Sequence, residues 1–220
     1  MSSEKEPLFS AKNLKLLTVP LGSQNPITVQ VLGICSALAV TAKLEPSIVM
    51  ALSVVFVLVF ANLIVSLIRN SIPSRIRIIV QLVVVAALVI LVDQILKAFA
   101  YEVSQQLSVF VGLIITNCII MGRLEAFALS NKPWPSVLDG IGNAAGYGLI
   151  LIIVGFVREL FGSGTLSFPG IGTLNVIPAA FYEMGYVNNG FMILPPMALI
   201  VVGIIIWVQR SRDKSLVESN

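Results

Sequence analysis

Between Pro46 and Arg69 the chain carries no charged side chain, and between Arg77 and Asp93 it again carries none. At about 1.5 Å of rise per residue, Ser47 to Ile68 makes a helix about 33 Å long, enough to cross the roughly 30 Å of a bilayer's hydrocarbon. Runs of this length constrain the fold more than any motif does. Hydrocarbon offers the backbone no hydrogen-bond partner, so a spanning segment must satisfy its own amide groups. Composition agrees, with 57% hydrophobic and 11% charged residues and a mean hydropathy of +0.96, against roughly 45–50% apolar in a soluble domain. The chain reads as an all-α integral membrane protein. Its net charge of +3 and pI near 9.0 would suit nucleic acid in a soluble protein. In a membrane protein basic residues mark cytoplasmic loops instead, so no nucleic-acid partner is expected.

Residues 1–26 mix Glu4, Lys5, Glu6, Lys12 and Lys15 with Pro7 and Pro20; they lack the apolar run of a secretory leader and read as a polar cytoplasmic tail. Residues 27–42 are apolar but short: Val31 to Ala42 covers about 18 Å, half a bilayer. Pro46 opens the full-length span to Ile68, a basic turn follows at Arg69–Arg77, and Ile78–Leu96 spans again. Residues 98–106 form a polar connector. Leu107–Met121 is a second short apolar run, Ser130–Asp139 with Pro133, Trp134 and Pro135 reads as an interfacial loop, and Gly140–Val157 spans, with a Gly142-x-x-x-Gly146 face suited to close packing. Arg158–Glu159 reads as the end of that span, and Arg123, Glu125, Lys43 and Glu45 as interfacial anchors. Residues 161–189 form a long Gly/Pro/Asn-rich connection, Gly190–Val208 is the last span, and 210–220 is a second polar tail.

This gives six membrane segments, arranged as repeats at 27–97 and 107–209. Each repeat opens with a short, cysteine-bearing run and continues with two longer spans. Three crossings invert the second copy, and short runs at matching positions of inverted repeats point to half-helices that stop at the midplane. Of the 14 Lys and Arg residues, eleven fall on one side of this arrangement and three (Lys43, Lys97, Arg158) on the other. The bias places both termini in the cytoplasm.

Cys35 and Cys118 are the only cysteines, one per repeat, and the chain has no histidine. A single cysteine in an apolar segment is ordinarily a small buried hydrophobe. Equivalent placement in both repeats favours a joint role as metal ligands, with a disulfide as the competing chemistry. Two thiolates complete neither an iron–sulfur cluster nor a structural zinc site, so a metal would need two further ligands from a homologous partner.

Three stretches carry a family resemblance: Leu32–Thr41 around Cys35, Thr116–Ala128 around Cys118, and Asp139-Gly140-Ile141-Gly142-Asn143, joined by Arg158–Thr165. From about residue 12 to 210 the chain resembles the D subunits of sodium-translocating NADH:quinone oxidoreductases, and the equivalent component of the Rnf electron-transport complex is the near alternative. Leu124 departs from the small residue more common there. The resemblance implies an iron–sulfur cluster, of the 2Fe–2S type, ligated by Cys35 and Cys118 and by two cysteines of the homologous E-type chain. It implies a relay of electrons across a bacterial inner membrane, coupled to Na+ translocation. NADH, flavins and quinone would be bound by the A-, B-, C- and F-type chains of the complex.

Asp93, near a span end, reads either as a cation-pathway residue or as the partner of Lys97 one turn on. Asn117 reads either as a hydrogen-bond donor to thiolate sulfur or as a cap for backbone freed by a broken helix. A small inverted-repeat transporter and a purely structural subunit are the rival classes. A transporter needs polar ligands at the midplane where this chain has thiols, and a structural role predicts cysteines that only pack.

Overall fold

The computed structural model describes residues 11–22, 24–73, 75–99, 112–168, 172–175 and 190–212. Its axis is a pair of long helices, α3 (Leu44–Ile68) and α6 (Pro133–Gly162), packed along their length. They are antiparallel. Asn62 Nδ2 donates to the Ser136 carbonyl and Ser66 Oγ to the Asn131 carbonyl at one end, while the Leu44 amide donates to Glu159 Oε2 at the other. Gly140, Gly148 and Gly155 of α6 face α3, meeting Asn62, Ala51 and Ser47 at distances that leave no room for a larger side chain.

Helix α4 (Arg77–Phe99) packs beside α3. It presents Ile78, Ile79, Val83, Ile90, Leu91 and Ile95 outward, all about half exposed or more. So much apolar surface on one helix suits contact with lipid or with a neighbouring chain. Helices α3, α4 (as far as Ala98) and α6 are each long and apolar enough to cross a membrane. The last helix, α7 (Pro195–Arg212), is 18 residues long and ends on Arg210 and Arg212.

Helix α1 (Ala11–Thr18) and the 3₁₀ turn Val19–Leu21 do not form a free tail: they lie against α6. A Cβ on Gly142 would press into the Leu16 carbonyl, and one on Gly146 into the Pro20 carbonyl. The close-packing face expected in the sequence is therefore real, and its partner is the N-terminal segment.

Residues 27–42 do not form one half-helix. Asn25 Oδ1 accepts the Ile27 and Thr28 amides, fixing a turn at Pro26, and both Val31 (φ 58°) and Gly33 (φ 78°) stand in the left-handed region. Helix α2 is confined to Ile34–Val40. The other short run falls partly outside the described residues, at 107–111; a helical turn at 112–115 breaks at Thr116–Asn117, and α5 (Cys118–Arg123) begins at Cys118 and runs into a π-helical stretch, Leu124–Ala128. The 98–106 connector lies outside the described residues beyond Phe99.

Of the loop expected at Ser130–Asp139 only 130–132 are irregular, and α6 begins at Pro133. Pro133 and Pro135 occupy its first turn, where amide groups have no intrahelical acceptor and proline costs nothing. The connection at 161–189 contains an antiparallel hairpin, β1 (Thr165–Phe168) with β2 (Gly172–Asn175), in the register Thr165 to Asn175. A 3₁₀ turn, Gly190–Ile193, leads into α7.

Candidate functional site

The two cysteines occupy corresponding positions after two chain breaks. Cys35 is the second residue of α2, following the left-handed Gly33; Cys118 is the first residue of α5, following the extended Asn117. Both thiols are free and exposed. Neither serves as core filler, which removes the ordinary explanation for a cysteine in an apolar segment.

The two helix starts meet. Asn117 Nδ2 lies 3.4 Å from Ser36 Oγ and 3.3 Å from the Tyr147 hydroxyl, and the Ser36 and Tyr147 hydroxyls are 2.6 Å apart. All three residues are buried. Ser36 and Asn117 are the chain neighbours of the two cysteines. Tyr147 is near the middle of the 30-residue α6, about 21–23 Å from either end.

From this level the two short helices run in opposite directions along α6. The C-terminal end of α2 reaches Arg158, whose Nη1 donates to Thr41 Oγ1 at 2.6 Å and to the Leu38 carbonyl at 3.5 Å. The C-terminal end of α5 reaches Asp139, where Arg123 Nε donates to Oδ2 at 2.9 Å and Nη2 pairs with Oδ1. Arg158 also donates to the carbonyls of Met192, Ile193 and Leu194, at 3.1, 2.7 and 3.2 Å, and so ties α2 to the turn before α7.

Arg158 and Glu159 thus do not end the span, since α6 runs on to Gly162, and Arg123 is held by Asp139. Arg158 is fully buried with neutral acceptors. Glu159, also buried, takes the Leu44 amide on one oxygen and the Ser167 amide and hydroxyl on the other. Glu125 is half-buried, paired with Arg77 at 2.7 Å and bonded to Gln81. Beside the Arg123–Asp139 pair lies a cavity of about 280 Å³, lined among others by Lys15, Gln24, Gln30 and Asn143.

Asp93 forms an ion pair with Lys97 at 2.6 Å, one turn along α4 and far along it from Arg77. Asn117 caps α5, its Oδ1 accepting the Ile119 amide at 3.2 Å. Of the residues named from the sequence, Asn117 contacts Ser36, the chain neighbour of Cys35, while Cys118 follows Asn117 in the chain and Asp93 lies apart on α4. Sequence reasoning missed Ser36 and Tyr147, whose types look like ordinary core residues in an apolar span.

Among the described residues no three of His, Cys, Asp and Glu gather as a metal site. The donor chemistry fits an iron–sulfur group by halves: the described residues offer two exposed sulfur donors where such a cluster takes four ligands. What these features define is a helical membrane protein with an exposed cysteine at each of two adjoining helix starts. The family described as "Rnf-Nqr subunit, membrane protein" matches residues 13–206, and the chain belongs to that family. Among its relatives are proteins named as the D subunit of Na(+)-translocating NADH-quinone reductase. Those of Shewanella putrefaciens strain CN-32 and Shewanella baltica strain OS155 are each 55% identical over 213 residues, covering 96% of this chain and 99% of the relative. These relatives are components of an oxidoreductase complex.

Proposed function

We propose that this chain is the D-type membrane component of a sodium-pumping NADH:quinone oxidoreductase, and that Cys35 and Cys118 supply half the ligands of an iron–sulfur cluster shared with a homologous chain. One observation carries the reading: both thiols are exposed at adjoining helix starts instead of packed in the core. When bound, a 2Fe–2S cluster takes up and passes on single electrons. The chain's own part is to hold and orient. Gly33 and Asn117 break the backbone so that each cysteine stands in the first turn of a new helix, and Arg158 and the Arg123–Asp139 pair fix the far ends of those helices.

The opposite courses of α2 and α5, and the antiparallel α3 and α6, support two inverted repeats with six membrane segments. The mid-length position of Tyr147 on α6 supports a site near the bilayer midplane. Arg69 and Lys132 lie at one end of the α3–α6 pair, joined by the Ser66–Asn131 contact. That grouping supports a cytoplasmic placement of both termini in a bacterial inner membrane. Removing the buried Arg158 from the loop-charge count leaves eleven against two (three minus one).

The proposed source of the missing ligands is the homologous E-type chain; NADH, flavins and quinone are bound by the A-, B-, C- and F-type chains. Asp93 is proposed to serve the cation pathway, with Lys97 as its resting partner. Asn117 is proposed to support the ligand turn. The test is iron content and electron paramagnetic resonance of the purified complex carrying Cys35→Ala or Cys118→Ala. Each variant is expected to lose the cluster signal and NADH-to-quinone electron flow, and an intact signal in either refutes the ligand assignment.

A further inference from the structure

Tyr147, Ser36 and Asn117 form a hydrogen-bond chain whose donor directions are all determined. Asn117 Oδ1 is committed to the Ile119 amide, so Nδ2 faces the two hydroxyls. Ser36 Oγ donates to the Gly33 carbonyl at 2.8 Å. The short Ser36–Tyr147 contact therefore has Tyr147 as donor and Ser36 as acceptor. The chain runs from the cap of the Cys118 helix to the turn before the Cys35 helix with no hydroxyl proton left unplaced.

The surroundings fix this geometry. A Cβ on Gly33 would meet Tyr147 Cε2 at 2.8 Å, and φ of +78° already requires glycine there. The tyrosine ring is thus seated against the one turn that carries Cys35, and its hydroxyl bonds to the neighbours of both cysteines. A fully satisfied buried network holds its members in a single arrangement.

We infer that Tyr147 is a positioning residue for the paired thiols: its hydroxyl, bonded to Ser36 and Asn117, sets how Cys35 and Cys118 stand relative to each other and to the group they hold. This rests on the ligand reading above. It predicts that the hydroxyl tunes that group without being needed to retain it, since the ring still fills its space when the oxygen is removed.

The experiment uses the whole purified complex and compares Tyr147→Phe, Ser36→Ala and Ser53→Ala by iron content, paramagnetic resonance spectrum and midpoint potential. Ser53 is a buried hydroxyl bonded only to the Val49 carbonyl of its own helix, so its loss reports the generic effect of a missing hydroxyl. Tyr147→Phe and Ser36→Ala should keep iron near wild-type content. Each should alter the spectrum and change the equilibrium constant for reduction on the order of tenfold, about 59 mV for one electron, while Ser53→Ala changes neither. An unchanged spectrum and potential in Tyr147→Phe overturns the inference. If that variant fails to assemble, Ser36→Ala decides on the same terms. Failure of the ligand reading is separable: a cluster that survives in the Cys35→Ala, Cys118→Ala double variant sinks that reading whatever the tyrosine does.

Discussion

Arg158→Met removes the group that holds the far end of the Cys35 helix. Three of its bonds are firm, at 2.6, 2.7 and 3.1 Å, to Thr41 Oγ1, the Ile193 carbonyl and the Met192 carbonyl. Hydrogen bonds to charged groups contribute about 1.5–3 kcal/mol each, roughly 5–9 kcal/mol gross. Against this stands the desolvation of a buried guanidinium, several kcal/mol, which the methionine does not incur. The freed carbonyls at 192–193 sit on a half-exposed turn and can bond to water, whereas Thr41 is fully buried. The net loss is about 2–4 kcal/mol. At roughly 2–4 °C per kcal/mol for a chain of this size, the midpoint should fall by about 5–15 °C. Arg158→Lys keeps the charge but not the planar fork, and should fall between the two. The assay is the fraction of tagged protein that stays soluble after heating detergent-solubilised membranes. A methionine variant whose midpoint matches wild type would refute the reasoning that Arg158 anchors α2.

Reporters fused after residue 214 or within 130–136 should read cytoplasmic and one within 165–189 external; a cytoplasmic 165–189 reporter would sink the six-segment arrangement. Asp93→Asn breaks a helix-surface ion pair worth only about 0.3–0.5 kcal/mol, so assembly should persist while sodium activation of turnover weakens; wild-type sodium activation would leave Asp93 with the Lys97 pair alone. Gly146→Val drives its Cβ into the Pro20 carbonyl and should displace the N-terminal segment, read as increased labelling of a Leu16→Cys probe, whereas Gly203→Ala, with nothing within 4 Å, should not.

The long helices were legible because each is an uninterrupted apolar run bounded by charge, which needs no tertiary information. The start of α6 was not, since Pro133-Trp134-Pro135 reads as an interfacial loop unless the free amides of a helix's first turn are considered. Residues 27–42 misled for the opposite reason: hydropathy is blind to the turn fixed by Asn25 and to the left-handed backbone at Val31 and Gly33. The cysteines stood out through their repetition. Arg158 and Glu159 looked like a charged helix end because their partners are remote: Thr41 is 117 positions from Arg158, and Leu44 is 115 from Glu159. Tyr147 carried no mark at all, an aromatic within an apolar span being ordinary core material until its hydroxyl is seen between two cysteine-bearing turns.

The central claim is that the site is shared, with this chain supplying two thiolates and a homologous chain the other two. Iron per protein chain, measured on this protein purified alone and again after co-expression with its homologous partner, tests it most directly. A shared site predicts no bound iron in the first sample and a paramagnetic cluster in the second that is lost when Cys35 and Cys118 are both replaced by alanine. Stoichiometric iron on the chain purified alone would contradict it.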